Sequence, residues 1–193
     1  MSNKLKGMIW LRGQATLANK SVFLQVLMPI FIIFLYKFIF SLNGAGQELG
    51  ADRLAALIMN ISLPFSLAMS VGTPIIIILA EEREKHNLQS LRLAGVTAGQ
   101  YILSALIWPA IFGIFYIIIT PILVGVKLSN QLFSYGLVLL LTMLVLIFFF
   151  LMVGLLCKNQ VMAQSLSVPA MLLVAFIPMF SNMNEDLFKV LRY

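Results

Sequence analysis

Residues 132 to 156 read LFSYGLVLLLTMLVLIFFFLMVGLL, with no charged side chain and no proline. A helix rises about 1.5 Å per residue, so a run of this length covers the roughly 30 Å of a bilayer's hydrocarbon core. Apolar and polar residues do not alternate along it, which argues against a strand of a membrane β-barrel. Working outward, Tyr101 to Val124, Leu54 to Ala80 and Val22 to Ser41 read the same way on one side, and Val161 to Phe180 on the other. The expectation is an all-α integral membrane protein, with five transmembrane helices in a single transmembrane domain over residues 1–193.

Composition agrees. Of 193 residues, 61% are hydrophobic and 10% charged, with a mean hydropathy of +1.01. A soluble domain carries about 25% charged residues. Thirteen bases and seven acids cannot cover a water-soluble globule of this size, which disfavours soluble enzymes, disulfide scaffolds and disordered chains. The single cysteine, Cys157, allows no intrachain disulfide and no multi-cysteine metal cage. The formal charge of +6 sits on bases scattered at the edges of the apolar runs, which suits lipid headgroups rather than nucleic acid. Val22 to Ser41 is longer than a signal-peptide core, and no small-x-small cleavage site follows it.

Lys and Arg set the orientation. With a cytoplasmic N-terminus, Lys4, Lys6, Arg12, Lys20, Arg83, Lys85, Arg92 and Lys158 lie inside. Lys37, Arg53, Lys127, Lys189 and Arg192 lie outside, so eight of the 13 bases favour this orientation against five. Residues 1–21 then form a basic interfacial segment with Trp10 at headgroup depth, or a plain basic flank that fixes topology. Lys37, near the end of its span, is expected to snorkel to the outer headgroups. The glycines of Leu42 to Arg53 read as a flexible turn, since no Gly-Lys-Ser/Thr follows them. Residues 181–193 form an external tail.

The densest charge is Glu81-Glu82-Arg83-Glu84-Lys85-His86, directly after the second span. Glu81 and Lys85 stand four apart and pair on a helix. Leu88 and Leu91 recur at helical spacing, Gly95 is a helix stop, and Thr97-x-x-Gln100 fits a capping box that opens the third span. Residues 81–99 thus describe a short amphipathic helix, a turn and a new helix start. Two readings of this loop stay open: a wet, neutral connection, or a docking element for a cytosolic partner. Metal chemistry has no support, because one His beside carboxylates is not a zinc ligand set, and His86 reads as a solvated surface residue.

The order of spans, together with Glu81-Glu82-Arg83-Glu84-Lys85-His86-Asn87-Leu88-Gln89-Ser90-Leu91-Arg92-Leu93-Ala94-Gly95-Val96, resembles the permease subunits of type-2 ABC transporters, mostly exporters. The resemblance implies that this loop is the coupling helix that docks on a separate ATP-binding subunit. Glu81, Glu82, Arg83, Glu84, Leu88 and Leu91 would be the coupling residues. It also implies a basic interfacial helix before the first span, matched by Lys4 to Lys20. A second permease half, as a homo- or heterodimer, and the lipid bilayer are the other implied partners. Gly-x-x-x-x-Gly-Lys-Ser/Thr does not occur, so this chain is expected to bind no nucleotide, need no cofactor and catalyse no bond chemistry. The resembled family usually has six spans; the tail after Phe180 is similar to the segment that precedes the sixth.

Inside the spans, polar residues fall in stripes. Ser62, Ser66 and Ser70 recur every four residues, and Gln160, Gln164 and Ser167 follow at i, i+4 and i+7. Such stripes turn from lipid toward other helices or a wet path. The resemblance implies a translocation path along spans two and five; packing through small residues is the alternative. All seven prolines lie in the proposed spans, which suggests bent helices or ordinary tolerance of proline in membranes. Met59, Phe65, Met69, Met162 and Met171 suit a greasy substrate equally with a lipid-facing core. With no intramembrane acid–base pair, an amphipathic drug, peptide or lipid fits better than an ion. The expectation is an ABC exporter permease in a bacterial plasma membrane; the rival is a non-transporting accessory or immunity protein bound to another membrane complex.

Overall fold

The computed structural model describes residues 3–42, 50–126 and 132–183, with the side chains at 3, 21, 88 and 177–183 outside that description. The external tail beyond residue 183 and most of the glycine-rich loop therefore lie outside the described residues. All regular structure among them is helical: α1 (Asn3–Ala18), α2 (Lys20–Leu42), α3 (Ala51–Leu67), a π-helical segment (Ala68–Gly72), α4 (Thr73–Glu84), α5 (Asn87–Leu93), α6 (Ala98–Val124), α7 (Leu132–Leu156) and α8 (Gln160–Met183). The protein is an all-α membrane protein. Val22–Leu42, Ala51–Glu84, Ala98–Val124 and Leu132–Leu156 are long and apolar enough to cross a bilayer, and α8 adds a shorter apolar stretch over Gln160–Phe176.

The second span, α3 through α4, is the axis around which the others pack. Of its most apolar stretch 78% is buried, against 17% for α2, 33% for α6 and 22% for α7. Glycines allow the close approaches. A Cβ added to Gly72 would stand 2.2 Å from the Phe150 ring of α7, and one on Gly113 of α6 would stand 2.7 Å from Val71. One on Gly154 would lie 3.4 Å from the Ile76 backbone. At the opposite end of the bundle, Ile33, Ile58 and Val124 join α2, α3 and α6.

Prolines shape the axis by widening it. Pro74 has no N–H to give to the preceding turn, and the helix passes into its π segment just before it. There the Thr73 amide donates to the Ala68 carbonyl five residues back, and the Thr73 hydroxyl donates to the same oxygen at 3.3 Å. In α6 the Ile117 carbonyl, left without its helical donor by Pro121, accepts the Tyr135 hydroxyl at 2.9 Å. The Lys37 ammonium donates at 2.9 Å to the Leu123 carbonyl in the last turn of α6, where a cation suits the helix dipole.

Candidate functional site

The charged end of the second span is where most helices meet. The local fold follows the sequence reading: α4 ends at Glu84, His86 adopts a left-handed conformation (φ 55°), and α5 begins at Asn87. Gly95, also left-handed at φ 73°, closes α5, and Thr97 and Gln100 form a reciprocal capping box on α6.

Successive residues of a helix point about 100° apart, so five consecutive polar side chains reach in different directions. Glu81 pairs with Lys85 one turn on and holds that ammonium's pKa above its usual value. Glu82 accepts a hydrogen bond at 2.9 Å from the Arg12 Nη2 of α1, and its other oxygen lies 2.8 Å from the same nitrogen. Arg12 is only 7% exposed and lies over the Tyr101 ring of α6, 4.7 Å from its centre. Arg83 donates to the Leu155 carbonyl at 2.8 Å and to the Cys157 carbonyl at 2.9 Å, at the end of α7. Glu84 accepts the first amide of α8, that of Gln160, at 2.8 Å. The Gln160 side-chain amide reaches Glu81 at 3.4 Å.

α1 lies across this end and is held at three points. Lys4 donates to the Ala94 carbonyl at the end of α5 at 2.9 Å, Arg12 pairs with Glu82, and the Trp108 indole of α6 donates to the Ile9 carbonyl at 2.8 Å. Gly13 lets the Trp108 ring approach, since a Cβ there would stand 2.4 Å from it. Between α1 and α5 runs a groove of about 300 Å³ whose walls include Met8, Leu11, Ser90 and Leu91. Leu91 is half-buried in it, while Leu93 projects from the end of α5 with 90% of its surface exposed. The Leu88 side chain lies outside the described residues.

Sequence reasoning found the charged cluster but missed four partners. Arg12, Tyr101, Lys4 and Trp108 are each distant in sequence from what they touch, and no local spacing signals them. Leu93 was missed as well, although a third leucine on a short polar helix was a signal for it. The residues expected along a path fall in different surroundings. Ser62, Ser66 and Ser70 are all buried within the chain; Ser66 donates to the Ser62 carbonyl at 2.6 Å, and the Ser62 and Ser70 hydroxyls have no partner. Ser167 is buried and donates to the Gln164 carbonyl at 2.9 Å, but Gln164 is exposed, and Gln160 belongs to the charged cluster rather than to a continuous stripe. Cys157 is buried, its thiol pKa raised by that burial, and His86 is exposed. No group of three or more potential metal ligands occurs among the described residues.

An axial span enclosed by its neighbours thus ends in a charged hub and a short protruding helix. Residues 48–193 match the family model described as "ABC-2 family transporter protein", so the chain belongs to that family and is a membrane permease of an ABC system. The match begins before α3 and leaves α1 and α2 outside it. No curated protein and no solved structure matches the chain.

Proposed function

We propose that the chain is the permease half of an exporter for amphipathic substrates in a bacterial plasma membrane, working as a dimer of halves with a separate ATPase. The N-terminus, α1 and α5 lie in the cytoplasm, where the ATPase engages α5. The observation that carries this reading is the pairing of a protruding apolar side chain, Leu93, with a hub that ties α5 and α4 to α1, α6, α7 and α8. An exposed leucine on a water-facing loop suits a partner surface, and the contacts behind it would carry a push into several spans at once.

The acids act differently from the docking role the resemblance implied. Glu82 and Glu84 are engaged within the chain, so they stiffen the hub rather than meet the partner. Ser62, Ser66 and Ser70 would flank the path at the centre of the protomer, with Ser167 opening toward it as α3 parts from α8.

The test is efflux of a fluorescent amphipathic dye from cells that express the chain with a candidate ATPase. Efflux is expected with wild type and lost with Leu93→Asp at equal membrane levels. Unchanged efflux by that variant would remove α5 from the coupling role.

A further inference from the structure

We propose that Arg83 and Glu84 are positioning residues that clamp the α7–α8 turn to the end of span two, so that both later spans move with it. The proposal rests on the coupling reading above. Three observations carry it. Arg83 and Glu84 are neighbours in sequence, yet they seize opposite helix ends. The guanidinium holds the carbonyls of Leu155, in the last turn of α7, and of Cys157, just past it, at 2.8 and 2.9 Å, and the carboxylate holds the first amide of α8 at 2.8 Å. Each charge also has the sign the adjoining helix dipole favours, a cation at the C-terminus and an anion at the N-terminus.

The second observation is the shortness of the turn. α7 ends at Leu156 and α8 begins at Gln160, so the clamp spans nearly the whole connection. Three residues joined to a fixed point at both ends leave little slack. The third is the packing just beneath the clamp. Gly154 brings α7 within van der Waals reach of the Ile76 backbone and Leu79, and Ala163 of α8 is fully buried. Farther along span two, beyond this packing, the π segment flanked by Pro64 and Pro74 supplies a softer place for the axis to bend. A displacement of α5 would therefore carry α4, α7 and α8 together, with the axis bending at Ala68–Gly72.

Two measurements on the full chain in lipid nanodiscs decide this. In the chain alone, hydrogen exchange of the amides from Leu155 to Gln160 is expected to quicken about tenfold in Arg83→Ala/Glu84→Ala, the effect of losing charged hydrogen bonds at one site. Glu84→Ala alone, at an exposed position, should quicken the Gln160 amide and guards against a double variant that does not insert. Unchanged exchange in both variants overturns the clamp and leaves the coupling reading standing.

In the complex with the ATPase, spin labels at Phe23 of α2 and Ser165 of α8, both exposed, report the relative movement. Trapping with ATP and vanadate is expected to change the wild-type distance by about 2 Å or more, the scale of helix shifts in switching proteins. The double variant is expected to keep the ATPase and the movement of a label at Gln89 on α5, while losing the movement at Ser165. Movement of Ser165 that persists in the variant overturns the proposal. Wild type that binds no ATPase overturns the coupling reading and this proposal with it.

Discussion

Spans one and two have nearly the same apolar character, with mean hydropathies of 2.3 and 2.0 over their most apolar stretches, yet one is 17% buried and the other 78%. Hydropathy therefore decides that both enter the bilayer and does not decide which one lies inside the bundle. The difference lies in side-chain size. α2 presents Leu24, Leu27, Phe31, Phe34 and Phe38 at its surface, all exposed. The second span carries Ser62, Ser66, Ala68, Ser70, Gly72 and Thr73, all buried. Lipid tails are as apolar as leucine, so no hydrophobic force gathers large side chains into the centre. Close packing of small residues and interhelical polar contacts do that instead.

Substitutions on the two spans test the contrast, and the largest effect should fall at the charged end of the second. Arg12→Ala leaves Glu82 enclosed without its cation. The expected loss is about 4 kcal/mol, read by denaturant unfolding in detergent micelles. Replacing both partners, as Arg12→Met/Glu82→Leu, should recover most of it; a single variant that unfolds like wild type would show the pair to be dispensable. Next comes Gly72→Ala, which puts a methyl group into the Phe150 ring and should cost about 3 kcal/mol. Phe150→Leu in the same chain should relieve part of that cost. Absence of relief would locate the strain elsewhere in the π segment.

Two leucine truncations bear on the comparison directly. Leu67→Ala, fully buried in span two, should cost about 2 kcal/mol. This is the low end for a core leucine, because the unfolded reference in a membrane already sits in an apolar solvent. Leu24→Ala in span one, 64% exposed, should cost less than about 0.5 kcal/mol. Equal losses in the same unfolding assay would mean that α2 is covered in the assembled protein.

The fold was largely open to sequence reasoning because bilayer thickness turns a long apolar run into a helix with few alternatives. The loop elements were legible for a related reason. Gly95, Thr97 and Gln100 act on backbone groups within a few residues of themselves, so spacing alone reveals them. The hub was legible only as charge. That Glu82 belongs to Arg12, Arg83 to the end of α7 and Glu84 to the start of α8 depends on how the spans pack, and separations of 70 residues or more leave no periodic trace. Gln160 shows the same limit from the other side. Its spacing joins it to Gln164 and Ser167, while tertiary packing hands it to Glu81 and Glu84. The π segment was hidden as well, since two prolines indicate an interrupted hydrogen-bond ladder without saying whether the helix kinks or widens.

The central claim, that α5 is the surface on which a separate ATPase acts, is tested most directly by affinity purification of the tagged chain from membranes that also contain the ATPase. Wild type should retain a nucleotide-binding ATPase subunit in stable proportion. Leu93→Asp should release it while keeping the elution profile and unfolding midpoint of wild type, because that side chain is 90% exposed and supports nothing in the fold. Equal retention by Leu93→Asp, or wild type that purifies without any ATPase, would contradict the account.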